Sequence, residues 1–127
     1  MQVKTLDHLV LTVKDIQVSC RFYADVLGMD IVTFAENRTA LHFGHMKINL
    51  HQLGHEFAPK AQHPTPGSAD LCFIVEQPLD EVLTTLQQKQ VAIEMGPISR
   101  SGANGEIKSV YIRDPDDNLI ELSNYSL

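Results

Sequence analysis

The sequence predicts an α+β fold built from two βαβββ modules, and three observations carry that expectation. Segments in which apolar and polar residues alternate, as in half-buried strands, occur in two sets, each interrupted by one amphipathic helical pattern. Two parts of the chain repeat: Asp7-His8-Leu9-Val10-Leu11-Thr12-Val13 lies 62 residues before Ala69-Asp70-Leu71-Cys72-Phe73-Ile74-Val75, and Ile48-Asn49-Leu50 lies 72 residues before Ile120-Glu121-Leu122. Between the sets, residues 53–67 hold three prolines and two glycines, which neither a helix nor a central strand accommodates. The expected organisation is a single domain over 1–127, made of a module at 1–52, a connector at 53–67 and a module at 68–127. Neither half buries its sheet alone, so duplication is an architectural signal in itself.

The elements follow in order. Leu6 to Val13 alternates, with Leu9, Leu11 and Val13 on one face and His8 on the other. Asp15 is placed to cap a helix over 15–27, where apolar residues recur at 16, 20, 23 and 27 and Gly28 follows as the terminating residue. Strands are expected over 29–35, 38–44 and 46–52, separated by short turns. In the second half a strand at 68–75 precedes a helix that opens at Pro78 and runs to about Lys89. Residues 91–95 read as a strand, 96–105 as a polar glycine-containing loop and 106–113 as a strand. Asp114-Pro115-Asp116-Asp117-Asn118 has turn chemistry and hands the chain into a last strand, 119–125, in which Ile120 and Leu122 oppose Glu121.

Composition bounds the function. A chain of 127 residues buries roughly two thirds of its unfolded surface. It holds no apolar run near the ~20 residues of a membrane helix, and its N-terminus goes straight into a strand pattern. A soluble, cytoplasmic protein is expected. Cys20 and Cys72 lie in apolar-periodic segments and read as small buried hydrophobes rather than a disulfide. A net charge of −6, from 10 basic and 16 acidic residues, leaves no footprint for nucleic acid or an anionic membrane. Small molecules and protein partners remain.

Strand parity gathers His8, Asp70 and Glu121, with Asn49, His51 and His42, on faces opposite the apolar rows that pack on helices. Imidazole and carboxylate lining one cavity are the usual setting for a divalent ion; Zn, Ni, Fe and Mn all accept such donors. Asp70 reads as a ligand, a base or a partner of His8. Arg100, on the glycine-containing loop, is placed to bind a substrate carboxylate. Arg38, Lys60 and Arg113 read as solvated charges, and His45, His55 and His63 as exposed turn residues.

Asp7-His8-Leu9-Val10-Leu11, Phe22-Tyr23-Ala24-Asp25-Val26-Leu27-Gly28-Met29 and Asp114-Pro115-Asp116-Asp117-Asn118-Leu119-Ile120-Glu121 together resemble the vicinal oxygen chelate superfamily of glyoxalases, bleomycin resistance proteins and extradiol dioxygenases. Gly44 to Gln52, Phe57 to Ala61 and Ser123-Asn124-Tyr125 look like its branch containing glyoxalase domain-containing protein 5. The resemblance implies a glyoxalase-like fold with an eight-stranded mixed sheet curled around a site. It further implies metal ligands from the first and last strands of each module, here His8, Asn49, Asp70 and Glu121, with His51 in place of the weak ligand Asn49. Two positions depart: Asn49 stands where glyoxalase I has a glutamate, and Asp70 where dioxygenases have a histidine. The implied activity is that of a metal-dependent lyase or isomerase of the lactoylglutathione lyase type. Such an enzyme holds a small substrate by adjacent oxygens, with Glu121 and Asp70 as catalytic carboxylates and Arg100, His42 and Asn49 binding substrate. The alternatives are an extradiol dioxygenase-like enzyme and a metal-free binding or resistance protein. Free sheet edges and the long connector point to a homodimer.

Overall fold

The computed structural model describes residues 1–126. Their elements are β1 (His8–Val13), α1 (Ile16–Asp25), β2 (Asp30–Phe34), β3 (Arg38–Phe43), β4 (Met46–Gln52), β5 (Asp70–Ile74), α2 (Leu79–Gln88), β6 (Met95–Gly102), β7 (Gly105–Arg113) and β8 (Leu119–Tyr125). The order is βαβββ twice. Hydrogen bonding groups the strands as two four-stranded mixed sheets, β1-β4-β3-β2 and β5-β8-β7-β6. The chain divides into two compact units, Met1–Gly67 and Ser68 onward, so the connector belongs with the first module. No helix of the described residues is long and apolar enough to cross a membrane.

In the first module β1 runs parallel to β4, which a crossover through α1 requires, and β4-β3-β2 is an antiparallel meander. Leu11, Val13, Leu41, Ile48 and Leu50 are buried on the helix side with Cys20 and Tyr23 of α1. Each fully buried Leu or Ile contributes about 1.5–3 kcal/mol of transfer free energy. Asp15 caps α1 as expected, its carboxylate accepting from the amides of Gln17 and Val18. The helix stops at Asp25, and Gly28, at φ +69°, turns the chain into β2. Gln52 at the end of β4 accepts from the amide of Ile16 and donates to the carbonyl of Lys14, tying the last strand to the helix start.

The second module repeats the plan. Its core is Val82 and Leu86 of α2 with Val110, Ile112, Ile120 and Leu122 of β7 and β8. Pro78 occupies the cap position of α2 without a capping side chain, and Asn124 supplies what it lacks: Oδ1 accepts from the amide of Leu79 while Nδ2 donates to the carbonyls of Val75 and Gln77. Asn124 stands 72 residues after Gln52, the offset that relates Glu121 to Asn49. The two modules thus cap their helices from equivalent positions.

One stretch differs from the sequence expectation. Residues 91–95 do not form the third-last strand; β6 starts at Met95 and runs through the presumed loop to Gly102, and a two-residue turn at Ala103 and Asn104 leads into β7. The polar composition there is that of an edge strand with one solvated face, and an irregular register between Met95 and Ile98 breaks the alternation. Arg100 is therefore a strand residue.

The turn before β8 is held by one buried carboxylate. Asp114 Oδ1 accepts from the amides of Asp116 and Asn118, each at 2.9 Å, and Oδ2 accepts from Asn118 Nδ2 at 2.8 Å. Asn118 Oδ1 in turn accepts from the amide of Ala69, and the amide of Leu119 donates to the Ala69 carbonyl. The turn thereby clamps the start of β8 against the start of β5. Asp117 adopts φ +67°, a conformation that glycine enters at less cost.

Two substitutions test this clamp by urea denaturation. Asp114→Ala leaves buried amide donors unpaired and is expected to cost about 3 kcal/mol of stability. Asp117→Gly is expected to be neutral or to add up to about 1 kcal/mol.

Candidate functional site

Each sheet has one face covered by its helix and one open face, and the candidate residues lie on the open faces. In the first module His8, Val10 and Thr12 of β1 stand beside Lys47, Asn49 and His51 of β4. Arg38, Ala40 and His42 of β3 continue the face to Asp30, Val32 and Phe34 of β2. His8 is half exposed, and its Nδ1 is 2.7 Å from a carboxylate oxygen of Asp7. That partner is Asp7. A carboxylate on Nδ1 fixes the proton there and presents Nε2 as a lone-pair donor, the arrangement that orients metal-binding histidines. His42 is exposed, whereas Asn49 is buried, its Oδ1 without a hydrogen-bond partner among the described residues.

His51 stands apart from His8. Four residues of β4 separate His51 from Lys47, the register partner of His8, a span of roughly 13 Å. It is 3% exposed, because the connector folds over this end of the sheet and sets Phe57 edge-on to the imidazole with ring centroids 5.6 Å apart. An Arg38 Nη2 hydrogen points at His51 Nε2 over 3.5 Å, so Nε2 is the acceptor and the imidazole is neutral. Burial first, and then the Arg38 charge, hold its pKa below the ordinary histidine value; Lys60 acts the same way and Glu56 opposes them. Arg38 itself is no solvated charge: its guanidinium lies over the rings of Phe57, at 4.5 Å, and Phe34, at 5.5 Å. Lys60 pairs with Glu56, whose carboxylate also accepts from the amide of Gly54.

In the second module Asp70, Cys72 and Ile74 of β5 stand beside Leu119, Glu121 and Ser123 of β8, followed by Arg113, Tyr111 and Ser109 of β7. Glu121 is half-buried and held by hydroxyls: Ser109 Oγ donates to its Oε2 at 2.5 Å, and Ser123 Oγ lies 3.5 Å from the same oxygen. Ser109 and Ser123 are 2.7 Å apart, and the Cys72 thiol is 3.3 Å from Ser123. Each hydroxyl has one proton, so the chain runs in a consistent direction, Cys72 to Ser123 to Ser109 to Glu121. Cys72 is exposed, contrary to expectation, since its parity puts it on the open face rather than against α2. Its pKa is raised by burial of the sulfur atom and further by the charges of Glu121 and Asp70.

Asp70 is diagonal to Glu121 across the β5–β8 pair and exposed. Arg100 projects from β6, donating through Nε to the Tyr111 hydroxyl at 3.0 Å and through Nη2 toward the Met95 sulfur. It lines a groove of about 550 Å³ with Ser99, Ser101, Gly102, Gly105 and Glu106.

The structure thus brings Glu121 together with Asp70, and Asn49 together with His51, within their modules, and keeps His8 about four residues of strand from His51. Among the described residues no three His, Cys, Asp or Glu side chains gather closely enough to hold an ion by themselves. Sequence reasoning missed Arg38, Phe57 and the two serines. The serines were legible from parity alone, Ser123 lying two residues from Glu121 on the same face and Ser109 in register with Ser123; the Arg38–Phe57 contact was not, because a proline-rich connector has no period.

The sequence profile described as Glyoxalase/Bleomycin resistance protein/Dioxygenase superfamily matches residues 5–122. The virulence protein STM3117 of Salmonella typhimurium is 58% identical over 125 residues, covering 98% of this chain and 87% of that protein. Its crystal structure superposes with a TM-score of 0.98 at 57% identity, covering 99% of this chain and all of that one (100%). The glyoxalase domain-containing protein RDO1 of Mycosarcoma maydis is 50% identical over 125 residues, covering 98% of this chain and 70% of that protein. An integron cassette protein from the mobile metagenome of V. cholerae has a TM-score of 0.97 at 56% identity, covering 99% and 98% of the two chains.

The lowered pKa of His51 has a stability consequence with a definite sign. The unfolded chain binds a proton at His51 near the ordinary value of about 6.5, and the folded chain binds it only at lower pH. Unfolding therefore gains protons as the pH falls through that window, and the folded state loses stability. Thermal denaturation of the wild type between pH 7.5 and 5.5 is expected to show this loss, and His51→Gln to show a shallower slope.

Proposed function

Because the chain belongs to the glyoxalase/bleomycin resistance/dioxygenase superfamily, we propose that it is a metal-dependent enzyme, a lyase or isomerase of the glyoxalase type acting on a small substrate with adjacent oxygens. The observation that carries this reading is Glu121, a half-buried carboxylate oriented by the Ser109 hydroxyl, itself held by Ser123, on an open sheet face, with Asp70 beside it. A carboxylate so placed is positioned by its neighbours rather than by a counter-charge, leaving it available to a cation or to a proton.

The donor chemistry fits a divalent ion. His8 presents Nε2 because Asp7 engages Nδ1, and Glu121 keeps Oε1 clear of the Ser109 hydroxyl that binds Oε2. Asp70 adds an exposed carboxylate. His51 is the least suited of the proposed ligands, since Arg38 and Lys60 flank it and a dication would meet like charge. A bound Zn, Ni, Fe or Mn ion supplies Lewis acidity that polarises a carbonyl oxygen. The chain's own carboxylates do the proton work: the exposed Asp70 takes a proton next to the substrate carbonyl, and Glu121 holds its orientation through Ser109. Arg100, His42 and Asn49 bind substrate.

Within the superfamily this reading stands above an extradiol dioxygenase, because Asp70 occupies the place of a histidine in the set that activates oxygen on iron. The rival from another class is a metal-free binding protein, which the neutral Asn49 in place of a glutamate favours. We propose further that residues 1–127 act as one domain and that the chain is a homodimer, near twice 14.2 kDa.

Elemental analysis by inductively coupled plasma tests the metal. The purified protein is expected to hold about one ion per chain, and His8→Ala with Glu121→Ala to hold less than a tenth of that; unchanged metal in the double variant removes the reading. With Ni or Zn the protein is expected to isomerise the methylglyoxal–glutathione hemithioacetal, and Asp70→Asn to lower kcat at least a hundredfold. Oxygen consumption with a catechol reverses the ranking in favour of the dioxygenase, and thermal stabilisation by organic ligands alone favours the binder. Light scattering is expected to give the dimer mass at micromolar concentration.

A further inference from the structure

In the second module one row of register partners crosses the open face of the sheet from edge to edge. Cys72 of β5 is opposite Glu121 of β8, Glu121 is opposite Tyr111 of β7, and Tyr111 is opposite Met95 of β6. Opposed side chains of an antiparallel pair have Cβ atoms about 4.5–5.5 Å apart, so Tyr111 stands directly beside Glu121. Tyr111 is half-buried, and its hydroxyl accepts from Arg100 Nε at 3.0 Å in a bond that lies exposed. The hydrogen of the phenol meets no acceptor among the described residues. A phenol oxygen whose lone pair is taken by a guanidinium is left with a hydrogen to give.

Arg100 is arranged to support this phenol rather than to fork onto a ligand. Each of its nitrogens already has a protein acceptor: Nε the Tyr111 hydroxyl, Nη1 the Ser99 carbonyl at 3.4 Å and Nη2 the Met95 sulfur at 3.5 Å. Its guanidinium carbon lies 5.7 Å from the centroid of the Tyr111 ring, and none of the ion pairs among the described residues involves it. No carboxylate cancels the Arg100 charge, which therefore polarises the hydroxyl it binds. A polarised donor on an open face suits an oxygen that carries negative charge. The face is thus divided: Asp70 and Glu121, on β5 and β8, take a proton or a cation, and the β6–β7 side donates.

We propose that Tyr111 is a catalytic residue, the donor to the substrate oxygen on which negative charge develops, and that Arg100 is a positioning residue acting through it. In the proton abstraction assigned to this face, a C–H bond next to a carbonyl breaks, its proton goes to Asp70 and its electron pair moves onto the carbonyl oxygen. Tyr111 gives that oxygen a hydrogen bond and keeps its own proton, so the interaction strengthens as the charge forms. Arg100 contributes to substrate binding through the phenol. This deepens the enzyme reading by naming the substrate class, one that passes through an oxyanion, and it rests on that reading for the reaction.

The probe is 4-nitrophenol, whose phenolate absorbs visible light, titrated with chelator-treated protein across the pH range in which it ionises. Wild type is expected to bind the phenolate more tightly than the phenol. Tyr111→Phe, which keeps the ring, is expected to weaken the phenolate about tenfold, one charge-assisted hydrogen bond's worth, while changing the phenol little. Arg100→Gln is expected to weaken the phenolate several-fold, and the double variant to be no worse than Tyr111→Phe alone, because Arg100 acts through the hydroxyl. Wild type that binds no phenolate, phenolate binding indifferent to Tyr111→Phe, or effects of the two substitutions that add overturns the proposal. In turnover of the hemithioacetal, Tyr111→Phe is expected to lower kcat about a hundredfold with KM unchanged, and an effect on KM alone overturns it. The probe titration needs neither metal nor turnover, so this inference and the enzyme reading fail separately.

Discussion

The second module depends on the carboxylate of Asp114. Buried in a five-residue turn, it gathers the amides of Asp116 and Asn118 and the Asn118 side chain, and Asn118 reaches on to Ala69 at the head of β5. This sets the parallel register in which Cys72 faces Glu121 and Asp70 faces Leu119. Side chains alternate with a period of two, so a slip of one residue would turn Glu121 toward α2 and bring Ile120 and Leu122 to solvent. The hydrophobic row and the turn therefore demand the same register. Ser109 and Ser123 then need only occupy their strand positions to orient Glu121.

The same plan, used twice, has been given two electrostatic characters. The last strand of each module ties down the start of its helix through equivalent side chains, Gln52 to Ile16 and Asn124 to Leu79, and places its central residue, Asn49 or Glu121, on the open face. Around Glu121 the neighbours are carboxylate, thiol and hydroxyl; around Asn49 they are Arg38, Lys47 and His51. A face built on hydroxyls and carboxylates suits a cation or a proton in transit. Lys60 and Glu56 pair within the connector, and none of the ion pairs among the described residues involves Arg38.

Much of the framework was legible because it follows from local chemistry. Strand periodicity placed His8, Asn49, His51, Asp70 and Glu121 on the faces where they stand, and Asp15 and Gly28 marked the helix ends that capping requires. The β6 strand was not legible: its edge position leaves little apolar pattern, and Gly96-Pro97-Ile98 with the glycines at 102 and 105 resembles a loop until β7 is present to pair with it. Cys72 was misread because thiols bury easily, and its parity with Asp70 was the better guide.

The sequence by itself determined the duplication, the helix-facing rows and the turn ahead of Glu121, since each is specified by residues near one another in the chain and by fixed periods of 2 and 3.6. Only the tertiary structure decided what surrounds those residues. That Arg38 lies between Phe34 and Phe57, that His51 is neutral beneath the connector and that Ser109 bonds Glu121 depend on side chains from segments with no common period. Their meeting is set by the packing of connector on sheet and strand on strand, where distance in the chain carries no information about distance in space.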